Sequence, residues 1–279
     1  MAIIYKEEEM KVIDAHVHTF PDKIAQKAVG KLQKISGITP ATDGTQSDTK
    51  RVMAESRVDH SILLNIATSP GQEATINACA VKTCEEKAFT ALGSVHFLSE
   101  DVESILKEAK AAGLVGIKLH PDYQGFMIDD PRVFPVYEMC AALDLPVVFH
   151  AGWDCYSPDL IHATPDRSAA VMKAFPKLKM VLAHFGGLKC WDAVEEYLIG
   201  KNVWLDTAMC ASYADPVKMR RMMLKHNPQQ ILFGSDCPWE NPAAGISFLC
   251  NMDLPSDMVR SILSENVVKL YGLKQEKLF

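Results

Sequence analysis

Two histidines two positions apart in an apolar run, His16 and His18 of VIDAHVH, are the first side chains in this sequence whose type and spacing suggest chemistry. That chemistry is metal binding. A strand sends alternate side chains to one side, so Asp14, His16 and His18 are expected on one face and Ile13, Ala15 and Val17 on the other, letting both imidazoles grip one ion. The same residue types close later apolar runs: His96, Lys118 with His120, His150, His184 and Asp236. Histidine and aspartate suit zinc or another divalent transition metal, and a catalytic ion needs three or four protein ligands with a position left for water. His60 opens its run, and His162 and His226 fall in a loop or at a helix end, so these three are set aside.

The runs that carry these residues are read as strands at 12–18, 60–66, 89–96, 114–120, 146–151, 179–185, 202–208 and 230–236. Between them, amphipathic spacing predicts helices over 72–87, 100–111 with Ser99 as N-cap, 131–143, 165–175, 190–200 and 214–226, with an extra helix over 256–271. Eight βα units predict an α/β fold, a TIM (β/α)8 barrel, with a doubly wound open sheet as the rival. A barrel places its active site at the carboxyl ends of the strands, which is where the histidines fall. The polar stretch 36–49 reads as a loop over the barrel mouth, and specificity is expected in loops 19–50, 121–130 and 152–165. With no linker, repeat or low-complexity tract to divide it, the chain is read as a single domain over 1–279.

Composition agrees with small-molecule chemistry. The 279 residues are 48% hydrophobic, enough for a large core, and a formal charge of -6 leaves no basic footprint for nucleic acid or an anionic membrane. The opening MAIIYKEEEMK carries an acidic run where a targeting signal has cations, and no apolar stretch reaches the roughly 20 residues of a membrane span, so a cytoplasmic location is expected. The eight cysteines contain no Cys-x-x-Cys pair and read as reduced thiols.

VIDAHVH, GIKLHP, PVVFHAG, KMVLAHFGG, NVWLDTA, ILFGSDCPW and the closing ENVVKLYGL occur in this order with barrel-like spacing. In that combination the chain resembles the amidohydrolase superfamily, and more narrowly the branch that includes aminocarboxymuconate-semialdehyde decarboxylase and several lactone hydrolases. The resemblance implies His16 and His18 as strand-one ligands, His150 as the strand-five ligand and Asp236 as strand-eight ligand or proton carrier. His184 matches a histidine that lies beside the metal-bound water in mononuclear members and on a second ion in binuclear ones, where a strand-four carboxylated lysine or glutamate often bridges. Lys118 occupies that strand-four position, yet one ion is favoured here, with Lys118 free to bind a substrate carboxylate.

Such an ion, zinc with manganese or iron as alternatives, lowers the pKa of bound water to about 7 and so supplies hydroxide. Asp236 is expected to take the water proton and pass it to the leaving group, with His184 orienting the water or polarising the substrate carbonyl. His120 and Trp153 are candidate pocket residues. Arg167, near Pro165 at a helix start, is a candidate for an anionic substrate, with a solvated helix face as its plainer reading. Asp14 is either a carboxylate that orients a histidine or a structural hydrogen-bonding group. The expected activity is hydrolysis of a small-molecule amide, lactone or ester. Non-oxidative decarboxylation is the alternative, weakened because Ala151 stands where the resemblance implies proline after the histidine. A non-catalytic metal-bound barrel is the third reading, and the complete set of His16, His18, His150, His184 and Asp236 argues against it. A homodimer is ordinary for such a chain.

Overall fold

A computed structural model describes residues 10–274 and Leu278; residues 1–9, which carry most of the acidic opening, lie outside the described residues. Eight strands form in the expected places: β1 Ile13–Val17, β2 His60–Leu64, β3 Phe89–Ser94, β4 Ile117–Leu119, β5 Val147–Phe149, β6 Met180–Leu182, β7 Trp204–Asp206 and β8 Ile231–Leu232. Each pairs in parallel with the next. The ring closes through backbone bonds from Ala15 N to Phe233 O (2.8 Å), Asp236 N to His16 O (2.8 Å) and His18 N to Cys237 O (2.7 Å). The chain is therefore a TIM barrel, not an open sheet.

The strands are short and apolar because both faces are covered. Ile117, Leu119, Val147, Phe149, Met180, Leu182, Leu205, Ile231 and Phe233 pack outward with the helices. Ile62, Leu64, Leu92, Val148, Val181 and Leu232, the other parity, form a second cluster inside the ring with Val267, Leu270 and Tyr271 of the C-terminal helix. Lys118 and Asp206 take the inner parity of β4 and β7, in register with Val148 and Leu232. Two charged groups thus stand inside the barrel.

Simple alternation fails on β1. Ile13 and Ala15 join the inner cluster, whereas Val17 packs in the outer one, because the pairing with β2 is irregular between Asp14 and Val17. An extra residue in a strand flips the parity beyond it, so Asp14 does not share the position of His16 and His18.

Helices occupy most of the expected segments, with three corrections. Helix Val102–Ala111 is capped by Asp101, whose side chain accepts from Ser104 N, and not by Ser99, which bonds Glu73. Residues 19–50 are less loop than expected: Asp22–Ser36 is a helix stopped by Gly37 at φ 72°, and Gln46–Ser56 is another, begun by Thr45 accepting from Asp48 N. The loop after β4 starts with a helical turn, Pro121–Gln124. The final helix runs as expected over 256–271, with a π turn at Ser261–Glu265 that frees Ile262 O to accept Phe233 N at 2.9 Å, stitching β8 to it. No helix among the described residues is long and apolar enough to cross a membrane. All eight cysteines are free.

His60, set aside above, is a structural group. Its Nδ1 meets Lys87 O and its Nε2 meets Thr90 Oγ1, both at 3.0 Å, and burial lowers its pKa from 6.5 to about 4. A base harder to protonate folded than unfolded takes up a proton on unfolding. Stability is therefore lost as pH falls from 6.5 towards 4, by up to about 3 kcal/mol from this group. His60→Gln is expected to flatten that limb of the Tm against pH curve; an unchanged limb would place the acid sensitivity elsewhere.

Candidate metal centre

His16 and His18 leave β1 at the ring's closing seam, and Asp236 arrives there from the turn after β8. The two Nε2 atoms lie 3.2 Å apart, and Asp236 Oδ1 lies 3.3 Å from the first and 3.2 Å from the second. The backs of the rings assign the protons. His16 Nδ1 donates to Asp206 Oδ2 at 2.8 Å and His18 Nδ1 donates to Leu64 O at 2.9 Å. Burial, with Lys118 nearby, holds His16 well below its usual pKa, so it is neutral and its Nε2 is a bare lone pair. Burial pushes the Asp236 carboxyl up, but the imidazoles of His16 and His18 outweigh it and hold the group below the ordinary range. His16 Nε2, His18 Nε2 and Asp236 Oδ1 thus converge from three directions, close enough to one another to share one ion. Nitrogen and oxygen donors in this ratio fit a divalent transition metal.

Asp206 is the group that sequence reading missed. Besides His16 it accepts His184 N at 2.9 Å and Ala208 N at 3.1 Å, so one buried carboxylate on β7 fixes the His16 ring on β1 and the backbone just after β6. The signal was present in NVWLDTA, a charge ending an apolar strand, as His16, His150, His184 and Asp236 end or follow theirs. His184 and Asp236 both sit at positive φ, 58° and 69°, backbone states that cost a non-glycine residue energy and gather at functional sites. Gly234 lets β8 approach β1, since a Cβ there would lie 2.8 Å from His16 Cβ. Asp14 stays out of the ligand group: it accepts from Ser235 N, Ser235 Oγ and His16 N, joining β1 to the turn after β8.

The remaining expected residues divide. His184 Nδ1 donates to Ala208 O at 3.1 Å, which makes its Nε2 an acceptor, and that Nε2 receives His150 Nδ1 at 3.0 Å. His150, expected as a fourth ligand, therefore stands beside the group of three and presents its bare Nε2 away from His184. His120 stacks between Tyr123 and His150, at 3.7 and 4.4 Å between ring centroids. Lys118 is buried within the ring; burial lowers its ammonium to about 8, with Asp206, Asp236 and Asp154 pulling the other way. Trp153 is half-buried with Lys189 Nζ 3.5 Å from its ring centre. Arg167 pairs with Asp129 at 2.7 Å, a partly exposed ion pair, and no hydrogen bond joins it to the histidines. The Cys155 thiol is raised by burial to about 11, and burial raises Cys237 as well, so neither is a ready nucleophile.

A family model described as amidohydrolase matches residues 13–273. No curated protein matches the sequence. Among solved structures the chain is similar to 5-carboxyvanillate decarboxylase of Novosphingobium aromaticivorans complexed with manganese (15% identity, TM-score 0.70, 96% of this chain and 97% of that one covered). It is similar to 2,6-dihydroxybenzoate decarboxylase from Rhizobium (16%, 0.70, 95% and 99%). It is also similar to a probable 2-pyrone-4,6-dicarboxylic acid hydrolase of Acinetobacter baumannii (15%, 0.67, 95% and 100%). At such identities the likeness speaks for the fold.

Proposed function

Because this chain belongs to the amidohydrolase family, we propose that it is a metal-dependent hydrolase that opens an amide, lactone or ester bond of a small molecule at one divalent ion. The observation that carries this reading is the convergence of His16 Nε2, His18 Nε2 and Asp236 Oδ1 within 3.3 Å of one another. Three protein ligands with positions left over is the arrangement of a catalytic site. When bound, such an ion supplies Lewis-acid polarisation and a water of lowered pKa. Zinc is our first assignment, with manganese or iron able to use the same donors.

The chain's own groups do the rest. Asp206 and Leu64 O hold the protons of His16 and His18 away from the ion side. Asp236, ionised and shared by both imidazoles, accepts a proton at its carboxylate and returns it to the leaving group. His184, with its proton committed to Ala208 O, does not polarise a carbonyl; it orients the attacking water through Nε2 once His150 Nδ1 gives up that atom. Lys118 offers a buried ammonium to a substrate carboxylate, while His120 and Trp153 line the approach. Arg167 reaches a substrate only by leaving Asp129.

Decarboxylation of a small carboxylated substrate is the second reading, and Lys118 favours it: a buried cation inside the ring is a carboxylate-binding group. It draws support from the decarboxylases among the structural neighbours, which outnumber the probable hydrolase. Protein reconstituted with zinc or manganese would be offered lactones, esters and amides beside hydroxylated aromatic carboxylates, with acid release and carbon dioxide followed together. Acid release without carbon dioxide is expected; carbon dioxide release alone would overturn the hydrolase reading in favour of the lyase.

A further inference from the structure

We propose that Lys189 is a specificity-determining residue of this site, holding its ammonium at the barrel mouth to select substrates that carry a carboxylate remote from the bond that breaks. The inference deepens the function proposed above and rests on it only for a small-molecule substrate, whichever bond is cleaved.

The backbone places this lysine. Trp153 N donates to Leu188 O and Leu188 N to Ala151 O, both at 2.9 Å, so the segments that follow β5 and β6 run side by side. Gly152 permits that approach, since a Cβ there would lie 2.1 Å from Leu188 N. Trp153 and Lys189 become neighbours as a result. Lys189 Nζ lies 3.5 Å from the centre of the Trp153 ring and 4.9 Å from that of Tyr213, which the helical turn Cys210–Tyr213 carries in after β7. Three loops of the mouth therefore meet on one ammonium. Lys189 also takes φ 60°, a left-handed state that a side chain bearing a Cβ adopts at a cost and that gathers at functional sites.

What the ammonium lacks is a counter-charge. Arg167, Lys218, Arg221 and Lys225, on the helices after β5 and β7, each pair with a carboxylate, and Lys118 inside the ring has Asp206 and Asp236 to offset it. Among the described residues Lys189 has no ion pair and no side-chain hydrogen bond. The two ring faces attract its charge, but they do not take its N–H groups as carboxylate oxygens would. They also restrain an exposed, flexible stem, so less freedom is lost when an anion binds.

The lysine overlooks the metal centre. Burial and Asp154 raise the half-buried Cys155 thiol, Lys189 lowers it and Asp236 raises it again, which puts that one side chain in the field of both the lysine and the ligand carboxylate. On a chain of formal charge -6 an anion is repelled as it approaches, and a cation without a carboxylate partner reverses that field locally.

The test is calorimetric binding of glutarate and of its monoamide, glutaramate, to zinc-loaded wild type, Lys189→Met, Lys189→Arg and Lys118→Met. The two probes share a shape and differ by one carboxylate. Wild type is expected to prefer glutarate by about tenfold or more, the worth of a hydrogen bond to a charged group, and to lose the preference as salt is added. Lys189→Met should abolish the preference and Lys189→Arg keep it, a contrast that a lysine merely clamping two rings would not show. On a panel substrate that bears a carboxylate, Lys189→Met should raise KM with kcat held, as the loss of uniform binding does. A wild type without the preference overturns the inference, as does its survival in Lys189→Met or its loss in Lys118→Met alone. Should Lys189→Met not fold, Lys189→Gln is read in the same way. Protein that shows the preference yet turns over nothing in the panel ends the enzyme reading and leaves Lys189 in place, whereas turnover without the preference does the reverse.

Discussion

Asp236→Asn is expected to lower turnover by about 10²–10⁴-fold, the span that a positioned general acid or base contributes. The amide keeps an oxygen near His16 and His18, so an ion remains partly bound, but it has no charge to accept a proton. The variant must therefore be assayed with metal in excess, on whichever panel substrate the wild type turns over, together with metal per chain. A loss of rate that excess metal restores would reduce Asp236 to a ligand. Full activity without added metal would remove it from both roles.

Asp206→Asn is expected to weaken metal affinity by 10- to 100-fold, the usual consequence of removing the group that orients a ligand histidine. The reasoning concerns a proton. The asparagine carbonyl can still accept His184 N and Ala208 N, which turns its NH2 towards His16 Nδ1. His16 then accepts at Nδ1 and carries its proton on Nε2, where the ion needs a lone pair. Asp206→Ala loses the same orientation and also leaves two buried N–H groups without partners, at about 1–3 kcal/mol each. The two variants should thus bind metal similarly weakly but melt differently, alanine lower. Competition with a chromophoric chelator measures the first quantity and a thermal melt the second; wild-type affinity in Asp206→Asn would show that His16 needs no such partner.

Much of this site was legible because barrel strands are apolar on both faces, so a histidine or aspartate at a strand end stands out from its own run. His16, His18, His184 and Asp236 were found that way, and all eight strands with them. Asp206 obeys the same rule and was passed over because no expected role was waiting for it. Leu64 O and Ala208 O were beyond reach, since a backbone carbonyl fixes a tautomer whatever side chain it carries. The helix Asp22–Ser36 hid behind its surface: among its residues only Ala25 and Val29 are buried, too sparse an apolar stripe to announce a helix. Parity on β1 failed for a related reason, because an irregular pairing register belongs to two strands at once and neither sequence segment shows it.

The metal site also has a temporal consequence. Its donors come from the first strand and from the turn after the last, and they meet only where Asp236 N bonds His16 O across the closing seam. Before β8 docks, His16 and His18 are two ligands without a third, even where Asp206 on β7 holds His16 and Leu64 O holds His18. Tight metal loading therefore waits for the completed ring, and the ion, once loaded, stabilises the joined ends over the parted ones by mass action. Cation uptake during refolding would time the moment at which the barrel's two ends join.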